Sequence, residues 1–201
     1  MPKLKKGESL SPRLEAVVAR LCEKLGPMTT TRAVKLPYLV DVEATHYLGH
    51  RITDGTHETW DHGVVTSEVW SYIQNGGDVH GPFDISPHSF SEGGKQISRA
   101  GEPDDDLTEE ELAIVDLVAE KYGRMDAGSL GRLTKALNTH FDSGVWGKNR
   151  QAAVDEDAYS RLADGYQAFF GRLPYLDFTN EEEWGEPIED PHEYLRRKLG
   201  G

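Results

Sequence analysis

Apolar residues recur along this chain mainly at helical spacing, and glycine and proline punctuation divides them into elements. Leu14, Val17, Val18, Leu21 and Leu25 share one face at intervals of three and four, which predicts a helix. Ser11-Pro12 opens it with a capping hydroxyl and a first-turn proline, and Gly26-Pro27 stops it. A second helix is expected to start after Thr30 or Thr31, to carry Leu36, Leu39, Val40, Glu43 and Tyr47, and to close at Gly49. Pro37 lies inside it, where a proline removes a hydrogen bond and costs ~3 kcal/mol. A kink there is the expectation, since Val34 extends the apolar face backwards; a start near Leu36 is the alternative.

Ile52-Thr53-Asp54-Gly55-Thr56 reads as a tight turn between two short strands, and Trp60-Asp61-His62-Gly63-Val64-Val65 as a glycine elbow. Gly63 is expected at a bend that admits no side chain. A third helix carries Val69, Trp70 and Ile73, and Asn75-Gly76-Gly77 caps it. The stretch from Asp78 to Pro103 is rich in Gly, Pro, Ser and His and is the segment expected to be most mobile. Within it, Phe83-Asp84-Ile85 and Gln96-Ile97-Ser98 form two short strands around Ser91-Glu92-Gly93-Gly94.

Thr108 and Glu111 are spaced as a capping box. The helix behind them buries Leu112, Val115, Val118, Ala119 and Tyr122 and ends at Gly123, after which Asp126 caps a helix with Leu130, Leu133 and Leu137. A turn from Thr139 to Trp146 precedes a longer helix that opens at Asp155 and carries Tyr159, Leu162, Tyr166 and Phe169. From Leu173 onward Pro174, Tyr175, Leu176 and Phe178 form an extended piece, followed by Glu181-Glu182-Glu183-Trp184. This tail is a wrap over the domain or a partner-binding segment. The fold expected is mainly α with a small β-hairpin: one domain over 11–170, after a basic arm at 1–10 and before an acidic, aromatic extension at 171–201.

At 201 residues and 37% hydrophobic content the chain can bury one good core. No apolar run approaches the ~20 residues of a membrane helix, and the basic start lacks the apolar segment of a secretory leader. A single cysteine, Cys22, excludes an internal disulfide and fits a reducing cytoplasm, the expected location. Beside an apolar helix face, it reads as an inert buried thiol. The net charge of −13 opposes binding to nucleic acid, which needs positive charge to displace counterions. It would steer in a basic protein partner, although acidic runs also serve solubility alone.

His46 and His50 stand four apart, a spacing at which two imidazoles on one helix face share a metal, with Glu43 a turn earlier and His57 or His62 to complete the set. That arrangement would support a metal-dependent hydrolase, kept as the alternative function. Against it, Tyr47 stands where a zinc protease needs glutamate, and Gly49 ends the helix before His50. Surface and cap roles fit these histidines better, and neither metal nor cofactor is expected. There is no Gly-x-Ser-x-Gly elbow, and Gly76-Gly77 and Gly93-Gly94 lack the lysine and helix of a phosphate loop. No catalytic residue is assigned. Trp70 reads as core. Trp60 and Trp146 lie at elbows, where each pins the elbow to the core, the first reading, or anchors a partner, and Trp184 in the acidic tail suits an exposed anchor. With His62, Tyr175 and Phe178, those three tryptophans form the candidate partner-binding set.

The motifs and their order resemble the Panacea domain, the SocA-like antitoxin family. Lys35-Leu36-Pro37-Tyr38-Leu39-Val40-Asp41 is similar to that family's lysine-leucine-leucine-tyrosine-leucine-alanine-aspartate opening, and Gly49 to Thr53 with Gly55-Thr56-His57 to its short hairpin. Trp60 to Val65 stands where members carry a bulky residue and tyrosine-glycine-proline-valine. Leu107 to Leu112, Lys121-Tyr122-Gly123, Ser129-Leu130 and Thr139 to Trp146 follow at similar spacing, so the likeness runs from about residue 11 to about residue 170. Pro37, His62, Val64 and Val145 depart from the pattern. The resemblance implies a mostly helical domain and an antitoxin, encoded beside its toxin and often carried by phages, that neutralises the toxin by direct binding. In one branch the antitoxin is a proteolytic adapter handing its toxin to a protease. The family supplies no catalytic residues, so none is carried over.

Overall fold

The computed structural model describes residues 8–60, 62–78, 80–88, 94–101, 106–136, 150–152 and 154. Trp146, Tyr175, Phe178, Trp184, Leu137, the turn from Thr139 to Trp146 and the helix expected from Asp155 lie outside them. Among the described residues there are five helices, α1 (Pro12–Leu25), α2 (Thr30–Leu48), α3 (Ser67–Gln74), α4 (Glu109–Tyr122) and α5 (Ala127–Ala136). The strands are β1 (Met28–Thr29), β2 (His57–Trp60), β3 (Gly63–Thr66), β4 (Phe83–Pro87), β5 (Lys95–Arg99) and β6 (Arg150–Gln151). They form two antiparallel three-stranded sheets, ordered β1-β5-β4 and β3-β2-β6. The expected small hairpin is therefore two of the six described strands. β1 and β6 are two residues each, too short to leave an alternating pattern.

The fold is organised around α2. It is buried without a break from Ala33 to Ala44 and packs against α3, α4, α5 and β3. A helix buried all round belongs to the interior of a domain rather than to its surface. That placement brings Lys35, Asp41 and Glu43 inside with it, at 2%, 0% and 0% exposure. Glu43 accepts from Lys121 Nζ at 3.0 Å and from the Tyr122 hydroxyl, which ties α2 to α4.

α2 runs continuously through Pro37, which excludes a start near Leu36. Its N-cap is Thr29, earlier than expected, and the Thr30 hydroxyl donates instead to the Lys95 carbonyl at 2.9 Å, joining α2 to β5. The expected turn at Asp54-Gly55 is also displaced. β2 and β3 pair His57 with Thr66 and Trp60 with Gly63, so the hairpin closes between Trp60 and Gly63 rather than at Asp54-Gly55. Residues 51–56 form a loop, because Arg51, Ile52 and Thr53 bond to Asp41 on α2 and the Thr56 amide to Glu68 on α3 rather than to another strand.

The remaining elements form where their sequence signals fall. β4 and β5 pair antiparallel, with Ile85 opposite Ile97. Gly76 and Gly77 take positive φ after α3, at 86° and 75°. The capping box forms, with Glu111 N–H on Thr108 Oγ1 at 3.3 Å and Thr108 N–H on Glu111 Oε2 at 2.9 Å. Asp126 caps α5 by accepting from the Ser129 amide at 2.9 Å. Arg20 holds both oxygens of Asp116 at 2.8 Å, pinning α1 to α4. Cys22 is buried, and burial pushes its thiol up to about 12. No helix among the described residues is long and apolar enough to cross a membrane.

Candidate functional site

Two polar centres hang on α2. The first surrounds Asp41. Its carboxylate accepts from the Ile52 amide (3.0 Å), the Thr53 amide (2.8 Å), the Thr53 hydroxyl (2.6 Å), Arg51 Nε (3.0 Å) and His57 Nε2 (2.7 Å). Burial alone would raise this carboxyl. The His57 bond, the His57 and Arg51 charges and the Thr53 hydroxyl outweigh it and hold Asp41 below its ordinary range. His57 rests edge-on to Tyr38 at 5.3 Å, and its Nδ1 lies 3.0 Å from Thr66 Oγ1. At 1% and 0% exposure His57 and Asp41 do not face solvent. They fasten the 51–56 loop to α2 and thereby set where β2 begins.

The second centre is a cavity of about 750 Å³ between α2, α5 and the β2–β3 hairpin. Buried Val34, Lys35, Val65 and Gly131 form its floor, while His62, Ala127, Gly128 and Arg132 form an exposed rim. Trp60 and Trp70 make one wall, 5.2 Å apart at 65°, and Trp60 Nε1 donates to Glu58 at 3.0 Å. Both rings are half-buried and pack against the core, so Trp70, expected as core, also forms a wall of this cavity.

Glycine lets the hairpin close over the cavity. Gly63 has φ 95°, and a Cβ there would stand 2.3 Å from Thr134 Oγ1 and 2.7 Å from the Gly131 carbonyl. This is the tight bend expected at Gly63, and its cause is contact with α5. β3 is an edge strand, and the outward groups of Val64 are covered by side chains. The Val64 amide donates to Thr134 Oγ1 at 3.3 Å, and Lys35 Nζ donates to the Val64 carbonyl at 2.9 Å. Burial, with Lys135 nearby, lowers the Lys35 ammonium to about 8.

The four histidines weighed as metal ligands stand in separate surroundings. His46 is exposed, edge-on to Tyr47 at 4.6 Å. His50 is exposed beyond the end of α2, with its ring nitrogens 3.1 Å from the Leu48 carbonyl and 3.4 Å from Glu111. His57 is committed to Asp41 and Thr66, and His62 is on the cavity rim. Among the described residues no group of three or more His, Cys, Asp or Glu is placed to hold a metal ion. Of the candidate partner-binding residues, Trp60 and His62 meet at the cavity. Sequence reasoning missed Lys35, Arg132 and Lys135; the available signal was a lysine embedded in an otherwise apolar helix.

Fold and site together define an α+β scaffold with a recessed, cation-lined cavity between its central helix and a hairpin. The chain belongs to the family described as antitoxin SocA-like, Panacea domain, which it matches over residues 33–139. That span is narrower than the 11–170 over which the motifs align by eye, and it takes in every element around the cavity. No curated protein and no solved structure matches the chain.

Proposed function

We propose that this chain is an antitoxin that silences a cognate toxin by direct protein–protein contact. Membership of the SocA-like antitoxin family carries the reading, since the match runs from Ala33 in α2 through α5 and so takes in most of the cavity lining. The net charge of −13 supports a basic toxin, because opposite net charges speed encounter. Trp60 and the exposed His62, at the mouth of the cavity, are the described part of the contact surface, with Trp146, Tyr175, Phe178 and Trp184 as its remaining anchors. Occlusion of the toxin and its delivery to a protease both begin with this contact.

A tagged pull-down from the native host, followed by co-expression, tests the proposal. The expected result is a stoichiometric partner that arrests growth alone and is silenced by this chain. Trp60→Ala should weaken that complex at least tenfold, the usual scale for a buried aromatic anchor. A chain purified alone with near-stoichiometric zinc would overturn the reading.

A further inference from the structure

We propose that the cavity between α2, α5 and the β2–β3 hairpin is a binding site for a small anionic ligand, one that carries a phosphate or carboxylate on a flat apolar body. The proposal stands apart from the toxin contact and concerns what the recess itself holds.

Charge is the first support. The chain has 35 acids against 22 lysines and arginines, yet the cavity is lined by Lys35, Arg132, Lys135 and His62 and by no Asp or Glu among the described residues. Such a local reversal of sign focuses anions into the recess against the field of the whole protein.

Lys35 is the second. It is 2% exposed and sits at the cavity floor, and among the described residues it has no carboxylate partner. Its Nζ makes one hydrogen bond there, to the Val64 carbonyl, although an ammonium carries three N–H groups. Covering an edge-strand carbonyl does not require a charge, since a neutral amide would serve. A buried cation without a counter-ion is expensive, and an anion in the cavity would be that counter-ion.

Shape is the third. A volume of about 750 Å³ suits a small molecule, and the half-buried Trp60–Trp70 wall offers ring surface for a flat body. Among the described residues, the titratable and charged groups lining the cavity with Lys35 are Arg132 and Lys135 from α5 and His62 from the hairpin. Lys35 loses its proton near pH 8, so the site should be sensitive to pH in that range.

The test is calorimetric titration of the full chain with 1-naphthyl phosphate, 1-naphthoate and the uncharged naphthalenemethanol. We expect both anions to bind with sub-millimolar Kd at pH 7 and at least tenfold more tightly than the alcohol. Between pH 7 and pH 9 the phosphate should weaken by about tenfold, as the protonated fraction of Lys35 falls. Lys35→Met should abolish the preference for anions. Because that residue is buried, the double variant Arg132→Gln with Lys135→Gln, on the rim, is the second arm and should weaken both anions at least tenfold at unchanged Tm. Equal binding of the alcohol and the anions, no binding of either anion, or unaltered binding in the rim variant would overturn the proposal. No toxin is present in this titration, so its failure leaves the antitoxin reading intact.

Discussion

Asp41→Asn removes a single charge from the most heavily bonded side chain of the fold. The carboxylate accepts five hydrogen bonds at zero exposure, one oxygen taking the amides of Ile52 and Thr53. Asparagine can keep its carbonyl oxygen on those amides, which turns its NH₂ toward Arg51, the Thr53 hydroxyl and His57. Thr53 can rotate its proton away and His57 can change tautomer, so both bonds survive in neutral form. Arg51 has no acceptor and loses its bond. Charge-assisted bonds are worth about 1.5–3 kcal/mol each, and breaking a buried pair costs about 3–5 kcal/mol. The expected loss is therefore about 3–4 kcal/mol, or a Tm lower by roughly 6–16 °C. Urea unfolding followed by far-UV circular dichroism measures it, and hydrogen exchange at Ile52 and Thr53 localises it. Acid adds a second check. Asp41 is held below its ordinary value, so its stabilisation is complete above about pH 4 and is lost as pH falls through the folded value. The gap between wild type and variant should narrow on that descent. A variant within about 1 kcal/mol of wild type at pH 7 would refute the claim that Asp41 holds the loop.

Three further outcomes follow from the same geometry. Gly63→Ala puts a Cβ 2.3 Å from Thr134 Oγ1 at φ 95°, and should cost at least about 3 kcal/mol by urea unfolding as the hairpin is forced off α5. Cys22, buried and pushed up to about 12, should resist a thiol reagent at pH 8 until urea is added; prompt labelling of the native chain would contradict its burial. Lys35 lies at about 8 when folded against an ordinary ~10.4, so the unfolded chain binds more protons between those values. Wild-type stability should therefore rise by about 3 kcal/mol relative to Lys35→Met between pH 8 and pH 10.5 in parallel urea titrations.

Helix positions were legible because each carries its own punctuation. Ser11-Pro12, Gly49, Asn75-Gly76-Gly77, Thr108 with Glu111, and Asp126 all mark ends that the structure keeps. The errors share another origin. Ile52 to Thr56 carries hairpin residue types, but the Ile52 and Thr53 amides are taken by Asp41, eleven and twelve residues earlier, and the Thr56 amide by Glu68, twelve residues later, and no local pattern contains those partners. Helical spacing places Trp70 against the core, but its ring contact with Trp60 in one wall of the cavity leaves no local signal. Trp60 and His62, read as contact residues from their place at a glycine turn, both line the cavity. Lys35 was not legible, because a lysine at the head of an apolar run looks like a solvated helix end. Its burial follows from α2 being enclosed on every side, which is a property of the whole packing.

That enclosure gives the three charges on α2 unequal fates. Asp41 gathers a loop around itself, and Glu43 receives Lys121 and Tyr122 from α4, so each buried acid meets a donor that also joins two parts of the fold. Lys35 meets a backbone carbonyl and, beside it, a cavity edged by Arg132 and Lys135. A sequence under pressure only for stability would replace that lysine with methionine or leucine, since an apolar residue of similar volume removes the cost of a buried cation. Among the described residues, Asp41 and Glu43 thus meet cationic partners while Lys35 meets no carboxylate, and it is Lys35 that lines the open recess.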